Sequence, residues 1–422
     1  MTSPSAPAFR WRSVGVAALL PTVLFSTGEG AIIPVLPVTA GDLGAKLAVA
    51  GLISAMLVVG ELVGDIPSGV IIARIGERTA MIGASALSVL GLLTAVLAPN
   101  PFVLGVGIFV VGIATAVFAL ARHAFMTSFV PAEYRARALS TLGGTFRFGY
   151  LVGPFIGAGV ITLTGSAASA YWIHVVGCAA AAVVLVVLPD PEKMFGGRAG
   201  RAGQRTAGEE ELGAEAHGLF RTIAANRRVL ATLGSGSMLV SALRTARQVV
   251  LPLWAVAIGL HETQTSIIIG IAGAVDFSLF FLGGSIMDRF GRTWVAVPSM
   301  IGLGIGHIVL ALTWFLPGRE PWFVAVAIFL SLANGIGAGI LMTLGADLAD
   351  PAHPAPFLGA WRFTNDTGGA LAPLIVAGLT ALVSLPFASA VLGIMGLGGA
   401  VILRVHLPKY AIRRDPRPSP AP

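Results

Sequence analysis

Charge is scarce in this sequence. Only 11% of its 422 residues are Asp, Glu, Lys or Arg and 55% are hydrophobic, whereas a soluble globular domain has about 25% charged residues. So few charges cannot cover the surface of a water-soluble fold of this length, and the mean hydropathy of +0.86 agrees. The composition all but excludes a water-soluble protein and indicates that lipid is the main solvent of the chain.

Cysteine is almost absent as well. The single Cys178 excludes an intramolecular disulfide and a cysteine-based metal site. The sequence also lacks a phosphate-binding loop, a metal-ligand cluster and a nucleophile elbow, so we expect no cofactor, no bound metal and no enzymatic activity. The net charge of +7 would suit a nucleic acid or an anionic membrane surface. The hydropathy favours the membrane, and no nucleic-acid partner is expected.

What the sequence has in abundance is long apolar runs. Each is long enough to cross a bilayer core, and such continuous runs form helices because lipid cannot satisfy exposed backbone groups. The predicted spans lie near residues 14–38, 47–73, 79–98, 101–122, 139–164, 167–188, 229–258, 264–287, 294–316, 322–345, 357–383 and 385–404.

These spans predict an all-α integral membrane protein with two six-helix halves. The halves comprise residues 1–188 and 229–406, joined by a mobile, polar cytoplasmic linker at 189–228. A cytoplasmic tail from 407 to 422, rich in Pro and Arg, is predicted to be disordered.

The positions of Lys and Arg predict the orientation, because loops rich in these residues face the cytoplasm. Alternate loops carry Arg74 and Arg78, Arg135 and Arg137, the linker cluster, Arg289 and Arg292, and the tail residues Lys409, Arg413, Arg414 and Arg417. The opposite loops hold only Lys46 and Arg319. Both termini are therefore predicted to be cytoplasmic. Compact loops and the lack of a transit-type extension lead us to expect a bacterial inner (plasma) membrane.

The two halves are related by an internal repeat. The segment Gly69-Val-Ile-Ile-Ala-Arg-Ile-Gly-Glu-Arg78 matches Gly284-Ser-Ile-Met-Asp-Arg-Phe-Gly-Arg-Thr293 at an offset of 215 residues (284 − 69). Arg147 matches Arg362 at the same offset (362 − 147). Equivalent residues thus lie six helices apart, as in a transporter made of two duplicated halves.

The second-half copy of this loop resembles the signature loop of the major facilitator superfamily, and the resemblance covers essentially the whole chain. It implies twelve helices in two pseudo-symmetric bundles that rock about a central cavity. The glycines let two helices approach and the chain turn sharply, while the carboxylate and the arginines can form an ion-pair lock. The residues concerned are Gly284, Asp288, Arg289, Gly291 and Arg292.

The first-half copy departs from the family pattern. It keeps Gly69, Arg74, Gly76 and Arg78, but Ala73 stands where the Asp is expected. This copy is either a weaker lock or one whose carboxylate is supplied by Asp65, two turns upstream.

A second motif lies in the fifth span. Gly149, Gly153, Pro154 and Gly157 are similar to the glycine-proline motif of the drug–proton antiporters of that superfamily. The match is partial, since Ser140 replaces a further expected glycine. Proline and glycine permit a bendable helix, which favours export, while tight packing of small residues is the alternative interpretation.

Each ionisable side chain inside a predicted span is expected to have a structural or functional role, because one charge at mid-bilayer costs about 3 kcal/mol even on the lenient insertion scale. The residues in question are Glu29, Glu61, Asp65, Arg147, Arg244, Arg247, Asp276, Arg362 and Asp366.

The resemblance implies that spans one, four, seven and ten line the cavity. Glu29, Arg244 and Arg247, together with Asn334, would then surround the substrate, and Asp276 is the expected counter-ion. Either Glu29 or Asp276 could couple proton entry to rocking. A static salt bridge is the alternative for both carboxylates.

Four further charges lie in the inner third of their helices. The resemblance places span two against span eleven and span five against span eight, so Asp65, Arg147, Arg362 and Asp366 are candidates for gating ion pairs. Arg362 and Asp366 are also four residues apart and can simply pair with each other.

The sequence thus predicts a monomeric secondary transporter in the bilayer, driven by a proton gradient. We expect proton-coupled efflux of a small amphipathic organic molecule or drug. The alternative is a proton symporter or facilitator that imports a small organic anion, which the paired arginines favour. A transporter-like sensor or a membrane enzyme is a further class, which a flux measurement would separate from a transporter.

Overall fold

A computed structural model describes residues 18–130, 132–187, 219–350 and 354–410, and within these ranges every regular element is helical. Twelve of the helices are long. They are α1, Leu20–Asp42; α2, Leu47–Ile75; α3, Glu77–Val96; α4, Pro101–Phe129; α5, Ala132–Thr164; α6, Ser169–Val187; α7, Arg227–Ala257; α8, Glu262–Phe290; α9, Thr293–Thr313; α10, Arg319–Leu348; α11, Pro354–Leu382; and α12, Leu385–Tyr410.

Eleven of these helices are long and apolar enough to cross a membrane. The remaining one, α11, has 29 residues and packs between α2, α7 and α12. It is less apolar because Arg362, Asn365 and Asp366 lie in its first half. Together the helices confirm the predicted all-α fold class.

The two halves repeat the same packing. In the first half α1 packs on α5 and α6, α4 packs on α2 and α3, and α3 packs on α6. The second half has the equivalent pairs: α7 on α11 and α12, α10 on α8 and α9, and α9 on α12. The pseudo-symmetry inferred from the 215-residue offset is therefore a property of the packing as well as of the sequence.

Two long seams join the halves. At one seam α2 packs against α11, and at the other α5 packs against α8, as the family resemblance implied. The carboxyl-terminal part of α1 also contacts α7. Charged side chains on these helices can therefore meet across the boundary between the halves.

Several helix boundaries differ from those expected. Helix α4 continues to Phe129 rather than ending near residue 122, and α12 continues through Pro408 to Tyr410, beyond the expected boundary at 406. A short helix, Leu219–Ala225, lies in the segment predicted as a linker, and α7 begins at Arg227. The first 17 residues, the linker residues 188–218 and the tail residues 411–422 lie outside the described residues.

The glycine-proline motif of α5 packs against α1 within the first half. A Cβ atom on Gly149 would overlap the hydroxyl of Ser26, and one on Gly153 would overlap the carbonyl oxygen of Thr27. The geometry fits the alternative interpretation of the motif, in which small residues allow close helix packing. Gly159, the last glycine of the motif, has open space around its Cβ position.

This contrast predicts opposite effects of the same substitution. Gly153→Ala should destabilise the protein by about 1–3 kcal/mol, because overpacking forces α1 and α5 apart. Gly159→Ala should be neutral or slightly stabilising, since alanine is the better helix former and meets no neighbour. Thermal unfolding followed by tryptophan fluorescence in detergent measures the difference. Equal unfolding midpoints for the two variants would contradict the close packing of α1 and α5.

Candidate functional site

A cavity of about 480 Å³ lies between the two halves. Eight helices line it: α1, α2, α4 and α5 from the first half, and α7, α8, α10 and α11 from the second. Its volume is within the range of about 300–1,000 Å³ that is typical of small-molecule sites. The wall combines apolar side chains such as Leu57, Leu251 and Phe277 with nine charged ones, so its surface is amphipathic.

One side of the cavity is rich in arginine. Arg147 on α5 and Arg244 and Arg247 on α7 line it, and we call these three residues the arginine cluster. Asp276, the expected counter-ion, lies 3.4 Å from Arg247 and 4.0 Å from Arg147. Asp276 thus lies within ion-pair distance of two of the three arginines.

Asp276 is held firmly in this position. The side-chain amide of Asn334 on α10 donates to both carboxylate oxygens at 2.9 Å. Arg247 is 8% exposed and also donates to the hydroxyl of Ser331 at 2.6 Å. This arrangement is typical of a static ion pair that stabilises the second half, one of the two roles considered for Asp276.

Arg244 connects the cavity to a break in α10. The helix is interrupted between Ile336 and Ile340, where Gly339 has a φ of +81°. The guanidinium of Arg244 donates to the carbonyl oxygen of Gly337, which lies in this break. Among the described residues Arg244 has no carboxylate within ion-pair distance, so its charge is available to a ligand.

The opposite side of the cavity is rich in carboxylates. Glu61 and Asp65 on α2 and Asp366 on α11 line it, and Glu29 on α1 lies behind the wall, so we call these four residues the carboxylate cluster. Arg362 on α11 donates a hydrogen bond to the carboxylate of Asp65 across the seam at 2.9 Å, and it also lies 3.4 Å from the carboxylate of Asp366. The cross-seam pair and the i, i+4 pair expected as alternatives thus occur together.

Glu61 is left without a partner in this cluster. It is half-buried in the cavity wall, and the part of the chain that the structure describes offers it neither a hydrogen bond nor an ion pair. The nearby cation, Arg362, is already engaged by two aspartates. Glu61 therefore lines the cavity with no cation paired to its carboxylate among the described residues.

Glu29 is fully buried, with 0% of its surface exposed. The hydroxyl of Thr115 donates to its Oε1 atom at 3.5 Å, a weak contact, and the hydroxyl of Tyr150 is directed at the same carboxylate. Arg122 on α4 is the nearest cation, but its guanidinium lies over the ring of Phe146, 4.5 Å from the centroid. Glu29 thus lies just behind the cavity wall, inside the first half.

The signature loops lie outside the cavity. Gly76 and Gly291 end α2 and α8 with φ values of +83° and +91°, so both act as the expected turn residues. Arg292 forms a bidentate pair with Asp347 on α10, at 2.6 and 3.0 Å. Asp288 is exposed and forms no ion pair among the described residues, so the lock uses Asp347 in its place.

The first-half loop is held differently. Arg78 donates to the carbonyl oxygens of Leu185 and Val186 at the end of α6, at 2.7 and 3.2 Å. Arg74 is exposed, Gly69 is buried in α2, and Gly284 faces open space. Asp65 pairs with Arg362 across the seam, so it does not complete the first-half lock.

The internal repeat of the sequence already indicates that the two sides of the cavity carry opposite charges. At the offset of 215, Glu29 is equivalent to Arg244 (244 − 29) and Glu61 to Asp276 (276 − 61). The first pair has opposite charges in the two halves. Arg122 was missed because α4 was expected to end there, whereas the helix continues for two more turns.

Removing the carboxylate of Asp276 should destabilise the second half. Asp276→Asn leaves Arg247 buried without its counter-ion, which costs about 3–5 kcal/mol for a buried pair. The double variant Asp276→Asn with Arg247→Met should recover most of the loss. Thermal unfolding in detergent is the measurement, with the exposed Asp288→Asn as the matched control, for which a change within about 0.5 kcal/mol is expected. A double variant no more stable than Asp276→Asn alone would contradict this role.

Comparison with known proteins agrees with the geometry. The family model described as Major Facilitator Superfamily matches residues 18–246 and 233–422. The chain is 26% identical over 354 residues to an uncharacterised MFS-type transporter, YdeG, of Bacillus subtilis (strain 168), and the match covers 78% of each protein.

Solved structures share the fold. A POT family transporter in complex with a thioalcohol-conjugated peptide superposes with a TM-score of 0.75 at 14% identity, covering 95% of this chain and 97% of that one. A D-xylose–proton symporter gives a TM-score of 0.71 at 15% identity, with coverages of 93% and 97%. With its repeated six-helix halves, its two seams and the cavity between them, the chain belongs to the major facilitator superfamily and is a multi-pass membrane transporter.

Proposed function

We propose that this transporter exports a small amphipathic organic molecule in exchange for protons, by alternating access of the central cavity. The proposal rests on two carboxylates, Glu29 and Glu61, that form no ion pair among the described residues and lie at the boundary of a cavity that both halves enclose. A buried carboxylate without a cation is costly in its charged form. Its charge must therefore be compensated by a proton or by a cationic group of the substrate.

Competition for these carboxylates supports exchange rather than co-transport. A proton on Glu29 or Glu61 removes negative charge that would hold a basic group of the substrate, so binding of the proton opposes binding of the substrate. Glu29 is the candidate for the proton, because it is buried inside the first half and its Oε2 atom has no hydrogen-bond partner in the described part of the chain. Asp276 is the weaker candidate, since Asn334 and Arg247 already hold it.

The mixed wall of the cavity supports an amphipathic substrate. Apolar side chains of α2, α7 and α8 alternate there with charged ones. The resemblance of the α5 motif to the drug–proton antiporters points in the same direction, although its glycines pack against α1. The termini are proposed to lie in the cytoplasm of a bacterial cell, with the protein acting as a monomer without a cofactor.

A second candidate function rests on the arginine cluster. Three arginines with one carboxylate form a site suited to an organic anion. In that case the protein imports a small organic anion, either with protons or by facilitated diffusion.

Proton flux in proteoliposomes distinguishes the two functions. An internal pH-sensitive dye reports the collapse of an imposed gradient when lipophilic cations, neutral drugs or organic anions are added. We expect at least one cationic or amphipathic compound to move protons with the wild type. Glu29→Gln should lower this proton flux by about tenfold or more, which corresponds to about 1.4 kcal/mol. Glu262→Gln, near the start of α8 and outside the cavity, is the control and should behave as the wild type.

One result would contradict export by exchange, and another would contradict the role of Glu29. One is the equilibration of labelled anions across the membrane with no proton movement, which would establish a facilitator built around Arg244 and Arg247. The other is unchanged proton flux in Glu29→Gln, which would remove Glu29 from the coupling.

A further inference from the structure

The charges of the cavity are segregated between its two sides. The carboxylate cluster has four acids and, with Arg122 and Arg362, two arginines, for a formal charge of −2. The arginine cluster has three arginines and Asp276, for a formal charge of +2. With Glu29 ionised the two sides cancel, and the site is strongly polarised between them.

Each side also has polar atoms that lack partners. On the arginine side Nε of Arg247 and Oδ1 of Asn334 are buried without a hydrogen bond in the described part of the protein, and both residues are more than nine-tenths buried. On the carboxylate side Glu61 faces the cavity without an ion pair or hydrogen bond to any described residue. Buried polar groups are normally satisfied. The two atoms on the arginine side have almost no exposed surface of their own, so the cavity-lining groups Arg244 and Glu61 mark the positions at which a ligand would bind.

The net charge of the ligand follows from the same balance. A singly charged ligand would bring an uncompensated charge into a cavity of low dielectric, which is costly. A ligand with one acidic and one basic group would satisfy both sides and leave the total charge at zero. The repeat strengthens this point, because the two copies of one position have become Glu29 and Arg244.

We propose, on the basis of the transport function above, that the transported molecule is a small zwitterion. Its acidic group binds the arginine cluster at Arg244 and Arg247, and its basic group binds Glu61. The apolar part between the two groups contacts the wall near Leu57 and Leu251. A carboxylate receives bidentate hydrogen bonds from arginine, and an ammonium group donates to Glu61, both of which are charge-assisted.

The test uses compounds with one apolar core and different charges. Linear ω-amino acids of four to twelve carbons are the zwitterions, their N-acetyl derivatives are the anions and their methyl esters are the cations. Binding to the full chain in detergent is measured by calorimetry and by the shift of the unfolding midpoint, at one pH and with no gradient. We expect the best zwitterion to bind at least about tenfold more tightly than either matched single ion.

Two variants assign the ends of the ligand. Glu61→Gln should weaken the zwitterion to the level of its N-acetyl derivative and leave binding of that anion within about twofold of the wild type. Arg244→Gln should weaken the zwitterion to the level of its methyl ester and leave binding of the ester unchanged. Glu262→Gln and Arg319→Gln, near the starts of α8 and α10 and outside the cavity, are the matched controls and should retain wild-type affinities.

Three results would overturn the inference. They are equal affinity of the wild type for the zwitterion and a single ion, an equal loss for the zwitterion and the anion in Glu61→Gln, and the absence of saturable binding at every chain length. These outcomes do not depend on proton flux. Selective zwitterion binding without proton movement would leave the inference intact and refute exchange, whereas proton movement driven by single-charge cations alone would refute the zwitterion.

Discussion

The structure depends on the cost of placing charge in a lipid environment. A charged side chain that faces lipid is expensive, so each one in a membrane helix has to turn toward protein or water. Here nine charged residues from α2, α4, α5, α7, α8 and α11 line one cavity between the halves, and Glu29 lies directly behind its wall. The same constraint makes the two seams polar, with Asp65 bonded to Arg362 at one and Asp276 near Arg147 at the other.

Duplication explains why these charges are arranged so regularly. Both halves place an arginine on the helix at the seam, Arg147 on α5 and Arg362 on α11, and both face a carboxylate on the opposite half. The copies differ where the cavity-lining helices α1 and α7 carry Glu29 and Arg244. The repeated fold thus supplies the geometry, and divergence at a single repeated position contributes to the polarity across the cavity.

The sequence predicted the helices and the repeat well, because long apolar runs and a constant offset are local or linear signals. It predicted partners poorly. Asp288 was expected in the lock because it is adjacent to Arg289 in the motif, yet Arg292 pairs with Asp347, which is 55 residues away. Arg122 was taken as the end of α4, since a charge at the edge of an apolar run resembles a boundary. The partner of a charged side chain depends on which face of its helix meets another helix, and only packing determines that face.

The balance of charge links the site to the rocking motion. A cavity whose arginines and carboxylates cancel can close around a neutral ligand without enclosing a net charge. Loss of one charge from either side would favour an open state, because closure would then bury an uncompensated ion. Arg244 has a special position in this balance, since it lines the cavity and also holds the carbonyl oxygen of Gly337 at the break in α10. A ligand that binds the guanidinium of Arg244 competes with its hydrogen bond to Gly337. Ligand binding therefore affects the segment of α10 beyond the break, and this segment carries Asp347, the partner of Arg292.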